Sequence, residues 1–288
     1  MSELAKRVLS ALVLAPVAIA AVYWGDAALA TFLGAAAAAG AWEFYRIARG
    51  AGARPFDGAG IVLAAVVPLV AHAERLYPQF HLPATAPLLA VLALFAAAIW
   101  RRGVTGGPLL AVAATVLGVA YVAVPLGYGY ALRYHEYAVG RAAGSAVVMF
   151  PVLLTWASDI GAYAFGRLFG RTKLIPSVSP GKTVQGALGG LLCTMLVALA
   201  YERWALRPVA QLAMAPWWAA VFGLVVSVAA QLGDLVESLL KREAKVKDSS
   251  QLIPGHGGVL DRVDSLLFVL PVAYVLLGWL LLPAPSHP

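Results

Sequence analysis

Between residues 234 and 264 the chain gathers Asp234, Glu237, Glu243, Asp248, Asp261 and Asp264, six of its 14 acidic residues, with Lys241, Arg242, Lys245, Lys247 and Arg262, five of its 21 basic ones. Carboxylates brought this close repel one another unless a cation stands between them, and a divalent ion resolves the repulsion while offering its other faces to phosphate oxygens. Oxygen ligands for Mg²⁺ and cations for the remaining phosphate charge are the parts that phosphate chemistry needs. Asp234, Asp261 and Asp264 are the candidate metal ligands. On a helix Asp234, Ser238 and Lys241 recur at i, i+4 and i+7 and line one face, with Glu237 and Arg242 flanking it. A simpler reading has Asp234 neutralised by Lys241, tying the helix end to an interface.

The stretch Pro254, Gly255, His256, Gly257 and Gly258 is too flexible for a helix and runs directly into an apolar segment that must be helical. Backbone N–H groups at such a turn form an anion site, because donors and helix dipole converge where side chains are absent. Asp261 and Asp264 fall i, i+3 in the first turns, where the dipole alone would favour them. His256 reads either as a general base or as a group that contacts the ligand. The serines of the patch, Ser238, Ser249, Ser250 and Ser265, have no paired base recognisable in the sequence, so a phosphate-ester nucleophile, already ionised, is expected to react directly. A second polar patch holds Ser158, Asp159, Arg167, Arg171, Lys173, Ser179, Pro180, Lys182 and Thr183. Gly181, Lys182 and Thr183 invite a phosphate-loop reading, which fails because Pro176 stands where glycine is required and no preceding strand is expected. Asp159 is either glue between helices or a site residue.

The elements that position these groups must be membrane helices. Of the 288 residues 61% are hydrophobic and only 12% charged, with a mean hydropathy of +0.82, against roughly 25% charged in soluble domains. Apolar windows matching about 30 Å of hydrocarbon fall near 8–24, 27–44, 58–73, 82–100, 109–132, 146–165, 184–200, 217–240 and 265–282, and only helices satisfy their own backbone there. The first window reads as a span or signal anchor rather than a cleaved signal. Nine crossings put 16 of the 21 basic residues on one side, the two richest groups being Arg167, Arg171, Lys173 and Lys182, then Lys241, Arg242, Lys245, Lys247 and Arg262. Arg75, Arg133, Arg141, Arg203 and Arg207 fall on the other. This split sets the N-terminus and both polar patches in the cytoplasm and the C-terminus outside. The expected fold is therefore an all-α polytopic bundle of about nine spans, with N-terminal helices over 1–145 and a catalytic region over 146–288. The net charge of +7 reads as a rim facing anionic lipid headgroups, and nucleic acid is not an expected partner. The single cysteine, Cys193, excludes an intrachain disulfide.

Ser238, Lys241, Arg242, Lys247, Asp248, Pro254, His256, Gly257, Gly258, Asp261, Arg262 and Asp264 resemble, in order and spacing, the signature of the phosphatidate cytidylyltransferases, or CDP-diacylglycerol synthases. Asp159, Ala162, Tyr163, Gly166, Arg167, Ser179, Pro180, Lys182, Thr183 and Gly186 look like that family's upstream positions, although Gln185 stands where some relatives carry Glu. The resemblance runs from about Ala157 to the C-terminus. It implies CTP and phosphatidate as substrates, CDP-diacylglycerol and pyrophosphate as products, a Mg²⁺ requirement, and an active site on the cytoplasmic face of a bacterial inner (cell) membrane. It assigns Asp234, Asp261, Lys241, Arg242, Arg262 and His256 to catalysis. Lys182, Ser179, Thr183, Ser238, Lys247, Asp248, Gly257, Gly258, Asp159 and Arg167 are assigned to substrate binding. Whether a second cation accompanies Mg²⁺ and whether the chain forms a homodimer stay open. Two other classes are weighed: a CDP-alcohol phosphatidyltransferase, whose motif breaks after Asp57 and Gly58 at Ile61 and Val62, and a transporter, whose site belongs nearer mid-membrane.

Overall fold

The computed structural model describes residues 3–283, with side chains from Leu9 onward except Ala11; Lys6 and Arg7, the first basic pair of the topology count, lie outside the described side chains. Ten α-helices make up most of it: α1 (Glu3–Trp24), α2 (Asp26–Gly50), α3 (Asp57–Leu76), α4 (Ala86–Arg101), α5 (Pro108–Gly118), α6 (Val124–Arg133), α7 (Gly140–Phe169), α8 (Val184–Tyr201), α9 (Pro216–Glu243) and α10 (Leu260–Leu280). Single π-helical segments, Val119–Ala123 and Glu202–Ala210, join α5 to α6 and extend α8. Every apolar window of the sequence is helical over most of its length, residues 82–85 and 281–282 excepted. Seven stretches are long and apolar enough to cross a membrane: Asp26–Gly50, Asp57–Leu76, Pro108–Arg133, Gly140–Phe169, Val184–Ala210, Pro216–Glu243 and Leu260–Leu280. Leu12–Trp24 and Ala86–Arg101 are apolar but shorter. At 1.5 Å per residue the 16 residues of α4 reach about 24 Å, less than a typical hydrocarbon core. The chain is thus a polytopic α-helical membrane protein.

Four short strands depart from the all-α expectation. β1 (Lys173–Ile175) pairs antiparallel with β2 (Ser179–Thr183), and β3 (Leu212–Ala213) with β4 (Leu282–Pro283). The first hairpin lies in a polar connection, where no apolar alternation announces a strand.

Two compact units arise, each discontinuous in sequence. One comprises residues 1–21, 25–130 and 240–263, the other 22–24, 131–239 and 264–288. In the first, α2 and α3 approach closely at Gly34, where a Cβ would lie 2.9 Å from the Ala65 carbonyl oxygen. The buried Tyr45 ring occupies the space left by Gly60 and Gly118 and donates its hydroxyl to Thr115 O at 2.8 Å. Leu94, Ala98 and Val112 form a buried cluster with Phe56, Val91 and Val116 against it. In the second, Phe150 stacks on Tyr201 at 4.8 Å and meets Phe222 at 4.8 Å. Gly161 leaves room for Cys193, and Gly223 for the Thr194 carbonyl. Small residues at such crossings let apolar helices pack by dispersion in lipid, where the hydrophobic effect gives no drive.

Three arginines are held by the chain itself. Arg75 pairs with Asp26 at 2.9 Å, Arg207 with Glu202 at 2.6 Å, and the buried Arg133 donates to the carbonyls of Val22 and Tyr23.

Candidate active site

In the second unit, β2 delivers Lys182 to Asp234 of α9 as an ion pair at 2.7 Å, ionic rather than a well-directed hydrogen bond. Ser238, one turn further along α9, donates to the other Asp234 oxygen at 3.3 Å. The hairpin places the lysine by local chemistry: Thr183 is the N-cap of α8, its hydroxyl accepting from Gly186 N at 3.1 Å. Gln185 accepts from the amides of Arg171 and Thr172 at 3.1 and 3.2 Å, closing the hairpin base. Asp234 therefore does not pair with Lys241, as the spacing on one helix face allowed; the partner comes from 52 residues upstream.

Gly233, next to Asp234, marks the crossing of α9 with α10, because a Cβ there would lie 2.6 Å from the Asp264 carbonyl oxygen and 2.9 Å from Ser265 Cα. Asp264 accepts from the following amide, Ser265 N, at 2.6 Å. The buried Ser158 of α7 bonds Ser227 of α9 at 2.7 Å, and Gln231 donates to Ser227 and to the Ala187 carbonyl. Ser158 thus joins α7 to α9, and the neighbouring Asp159 is exposed. Arg167, also exposed, donates to Tyr163 OH at 3.0 Å, and Ser179 is partly buried in β2.

The glycine turn belongs to the first unit. It closes between Ile253 and Gly257, with Ile253 N donating to Gly257 O at 2.8 Å and His256 N to Ile253 O at 2.9 Å. Gly255 and Gly257 adopt φ of +76° and +81°, a conformation costly for any residue with a Cβ. Its anion is the chain's own. Asp261 accepts from Gly258 N at 2.8 Å, from Ser249 N at 3.1 Å, from Ser249 Oγ at 2.9 Å and from Lys241 Nζ at 2.8 Å. Glu43 of α2, fully buried, takes the next two amides, Val259 N at 2.9 Å and Leu260 N at 2.6 Å, and the hydroxyls of Ser249 and Ser250 at 3.1 and 2.5 Å. Ser249 and Ser250, two of the serines read as having no paired base, are thus hydrogen-bonded to carboxylates and are 2% and 3% exposed. Such burial makes them donors that anchor the turn. His256 meets Ser10 of α1, Nδ1 to Oγ 2.7 Å, and Ser10 also reaches the Pro254 carbonyl at 3.2 Å. Arg242, Lys247, Asp248 and Arg262 are exposed.

Two contributors escaped the sequence reading. Gln185 was noticed only as a departure from a motif. Glu43 lies in an alanine-rich span, and a signal was available: an acidic residue inside an apolar run needs compensation, the argument already applied to Asp234.

Among the described residues, no three His, Cys, Asp or Glu side chains are clustered so as to hold a metal ion by themselves. Mg²⁺, however, uses one or two carboxylates together with substrate phosphates and water. Asp234 fits that part, since its side chain is 36% exposed and its two oxygens carry one lysine and one serine. Asp261 fits it only when Lys241 gives way, because its oxygens already accept from four donors.

A sequence model of the cytidylyltransferase family matches residues 5–280. Over 162 residues the chain is 43% identical to a phosphatidate cytidylyltransferase of Staphylococcus epidermidis, 42% to that of Staphylococcus saprophyticus and 41% to that of Staphylococcus aureus. Each match covers 56% of this chain and 57% of the relative, so the chain spans just over half the length of the curated relatives it matches. With the family pattern running through nearly every element described above, the chain belongs to the cytidylyltransferase family.

Proposed function

We propose that the chain transfers the cytidylyl group of CTP to phosphatidate, giving CDP-diacylglycerol and pyrophosphate. The observation that carries this reading is the Lys182–Asp234 pair, which joins the two patches that the sequence keeps 50 residues apart. A cation and a carboxylate side by side, the lysine ammonium itself buried and the carboxylate side chain 36% exposed, supply what a nucleoside triphosphate needs: charge for its phosphates and an oxygen ligand for its metal.

The reaction brings together two anions, and the work of the protein is to hold them in line. Phosphatidate supplies the attacking oxygen, the α-phosphorus of CTP accepts it, and the bond to the β-phosphate oxygen breaks as pyrophosphate leaves. Lys182, Lys241, Arg242 and Arg262 would offset the negative charge. Ser238, Thr183 and Ser179 would orient the phosphates, with Lys247, Asp248, Asp159 and Arg167 at the rim. His256, steadied by Ser10, would contact the ligand. Asp234 and Asp264 of the second unit would hold Mg²⁺, which would supply charge neutralisation at the phosphates. The catalytic work then belongs to residues 146–288, with the helices of 1–145 as their support.

Detergent-purified protein should release pyrophosphate from CTP, but not from the other nucleoside triphosphates, only when phosphatidate is present, and EDTA should stop it. Release without phosphatidate, or none with any nucleotide, overturns the reading; substrate movement without turnover would favour a transporter.

The reading includes nine crossings with the N-terminus inside and both patches on the cytoplasmic face of a bacterial inner membrane. The 16 to 5 division of basic residues supports it. In intact cells, with Cys193 changed to Ala, cysteines placed near Arg101 and Lys173 should react only with membrane-permeant reagents.

A further inference from the structure

We propose that Glu43 is a positioning residue for the proposed reaction: from α2 it fixes the conformation of the 249–260 turn that carries the signature residues. Four donors converge on its carboxylate, two hydroxyls and two amides, the single Ser249 hydroxyl proton being shared with Asp261, and the side chain has no exposure to solvent. The two amides are among those a helix start leaves without intrahelical partners. A carboxylate across them is the charge that suits the dipole of α10. Acceptor oxygens on both sides are required, since every partner that approaches is a donor.

The surrounding geometry is built around this carboxylate. A Cβ at Gly258 would stand 2.0 Å from Ser249 Oγ and 2.4 Å from Glu43 Oε1, so glycine there is the condition for the acid to reach the amides. Two turns along α2, Gly50 packs on Ala244, with a Cβ position 3.2 Å from the Ala244 carbonyl, so the same helix backs the start of the connecting segment. One turn from Glu43, Arg46 lines a cavity of about 430 Å³ with Val246, Lys247, Asp248, Ser250 and Gln251, a volume in the range of small-ligand sites. Ser250 is the link: its hydroxyl is bonded to Glu43 while the residue forms part of the cavity wall. Loosening the carboxylate therefore disturbs the wall that bears Lys247 and Asp248.

The inference rests on the proposed activity, and one readout is chosen to be independent of it. Glu43→Gln keeps the shape but turns an NH₂ toward two donors; Glu43→Asp keeps the charge but draws it back by one methylene. In Glu43→Gln, kcat/KM for CTP should fall at least about tenfold, the loss of a hydrogen bond to a charged group, with Glu43→Asp between it and the wild type. Hydrogen exchange at the amides of Val259 and Leu260 should speed up by a similar factor while α2 keeps its protection. Wild-type exchange at these two amides in Glu43→Gln overturns the proposal, whether or not the protein proves active. Equal loss of protection along α2 and the turn also overturns it, because Glu43 would then stabilise the whole unit. Should the Glu43 variants fail to fold, Ser250→Ala removes one of the four bonds and must give faster exchange at the turn; unchanged exchange there refutes the role. An inactive wild type with the expected exchange pattern leaves Glu43 holding the turn and removes the proposed activity instead.

Discussion

Asp261 and Asp234 are both carboxylates with a lysine at 2.7 to 2.8 Å, yet their surroundings differ. Asp261 is 7% exposed and closed by two groups of Ser249, by Gly258 N and by Lys241, the last itself 14% exposed. Asp234 is 36% exposed and touched by side chains alone, Lys182 and Ser238. Backbone donors cannot leave without unmaking the turn, whereas a lysine and a serine can turn toward an arriving phosphate. The contrast assigns Asp261 to shaping the turn, with any ligand role dependent on Lys241. Asp234 is left as the more open carboxylate, which suits the metal and substrate role proposed for it.

The largest expected effect separates the two. Asp234→Asn should lower turnover by about 10²- to 10³-fold, the usual loss when a group that stabilises developing charge is removed. Its thermal midpoint should stay near the wild-type value, because a partly exposed ion pair contributes only about 1 kcal/mol or less. Pyrophosphate release and thermal unfolding in the same detergent check both halves, and a variant that unfolds would erase the contrast.

Asp261→Ala should lose activity and stability together. It strands a buried lysine and three further donors, a situation that costs about 3 to 5 kcal/mol. A variant with the wild-type midpoint would show that the closed cluster contributes nothing to the turn. Ser249→Ala sharpens the same side on a smaller scale. Its hydroxyl bridges Glu43 and Asp261, and its removal should lower stability by about 1 to 2 kcal/mol with turnover per folded molecule nearly kept.

The smallest effect lies in the second unit, away from Asp234. His135 is buried, with Nδ1 lacking a hydrogen-bond partner among the described residues, and burial pushes its pKa below the ordinary value, partly opposed by Glu136. The folded protein therefore takes up this proton later than the unfolded chain as pH falls. Stability should be unaffected by it at neutral pH and above, and should decline as the medium is acidified through the ordinary histidine range. Unfolding midpoints against pH should decline less in His135→Phe; an identical decline would remove the histidine from the account.

Much of this architecture could be read from residue order because lipid imposes a strict rule: apolar windows become helices, as all nine did over most of their length. Their ends were less legible, since the 16 residues of α4 fall short of the membrane thickness. The hairpin over 173–183 was hidden because its strands are polar and contain Pro180 and Gly181. The glycine turn was recognisable as an anion site from its composition. What the order of residues does not tell is which anion, and a carboxylate more than 200 residues away in sequence, Glu43, filled it. Similarly, one-face spacing on α9 made Lys241 a natural partner for Asp234, while the folded chain brought Lys182 instead.

In the proposed reaction these charges hold two anions for a direct displacement, with no nucleotide attached to the protein. Ser249 and Ser250 are buried against carboxylates, so neither is presented as a nucleophile. CTP made chiral at the α-phosphorus by sulfur, turned over with phosphatidate, tests this most directly. One in-line displacement inverts the configuration, which is the result expected here; retention in the CDP-diacylglycerol formed would mean two displacements through a nucleotidyl-enzyme and would contradict the account.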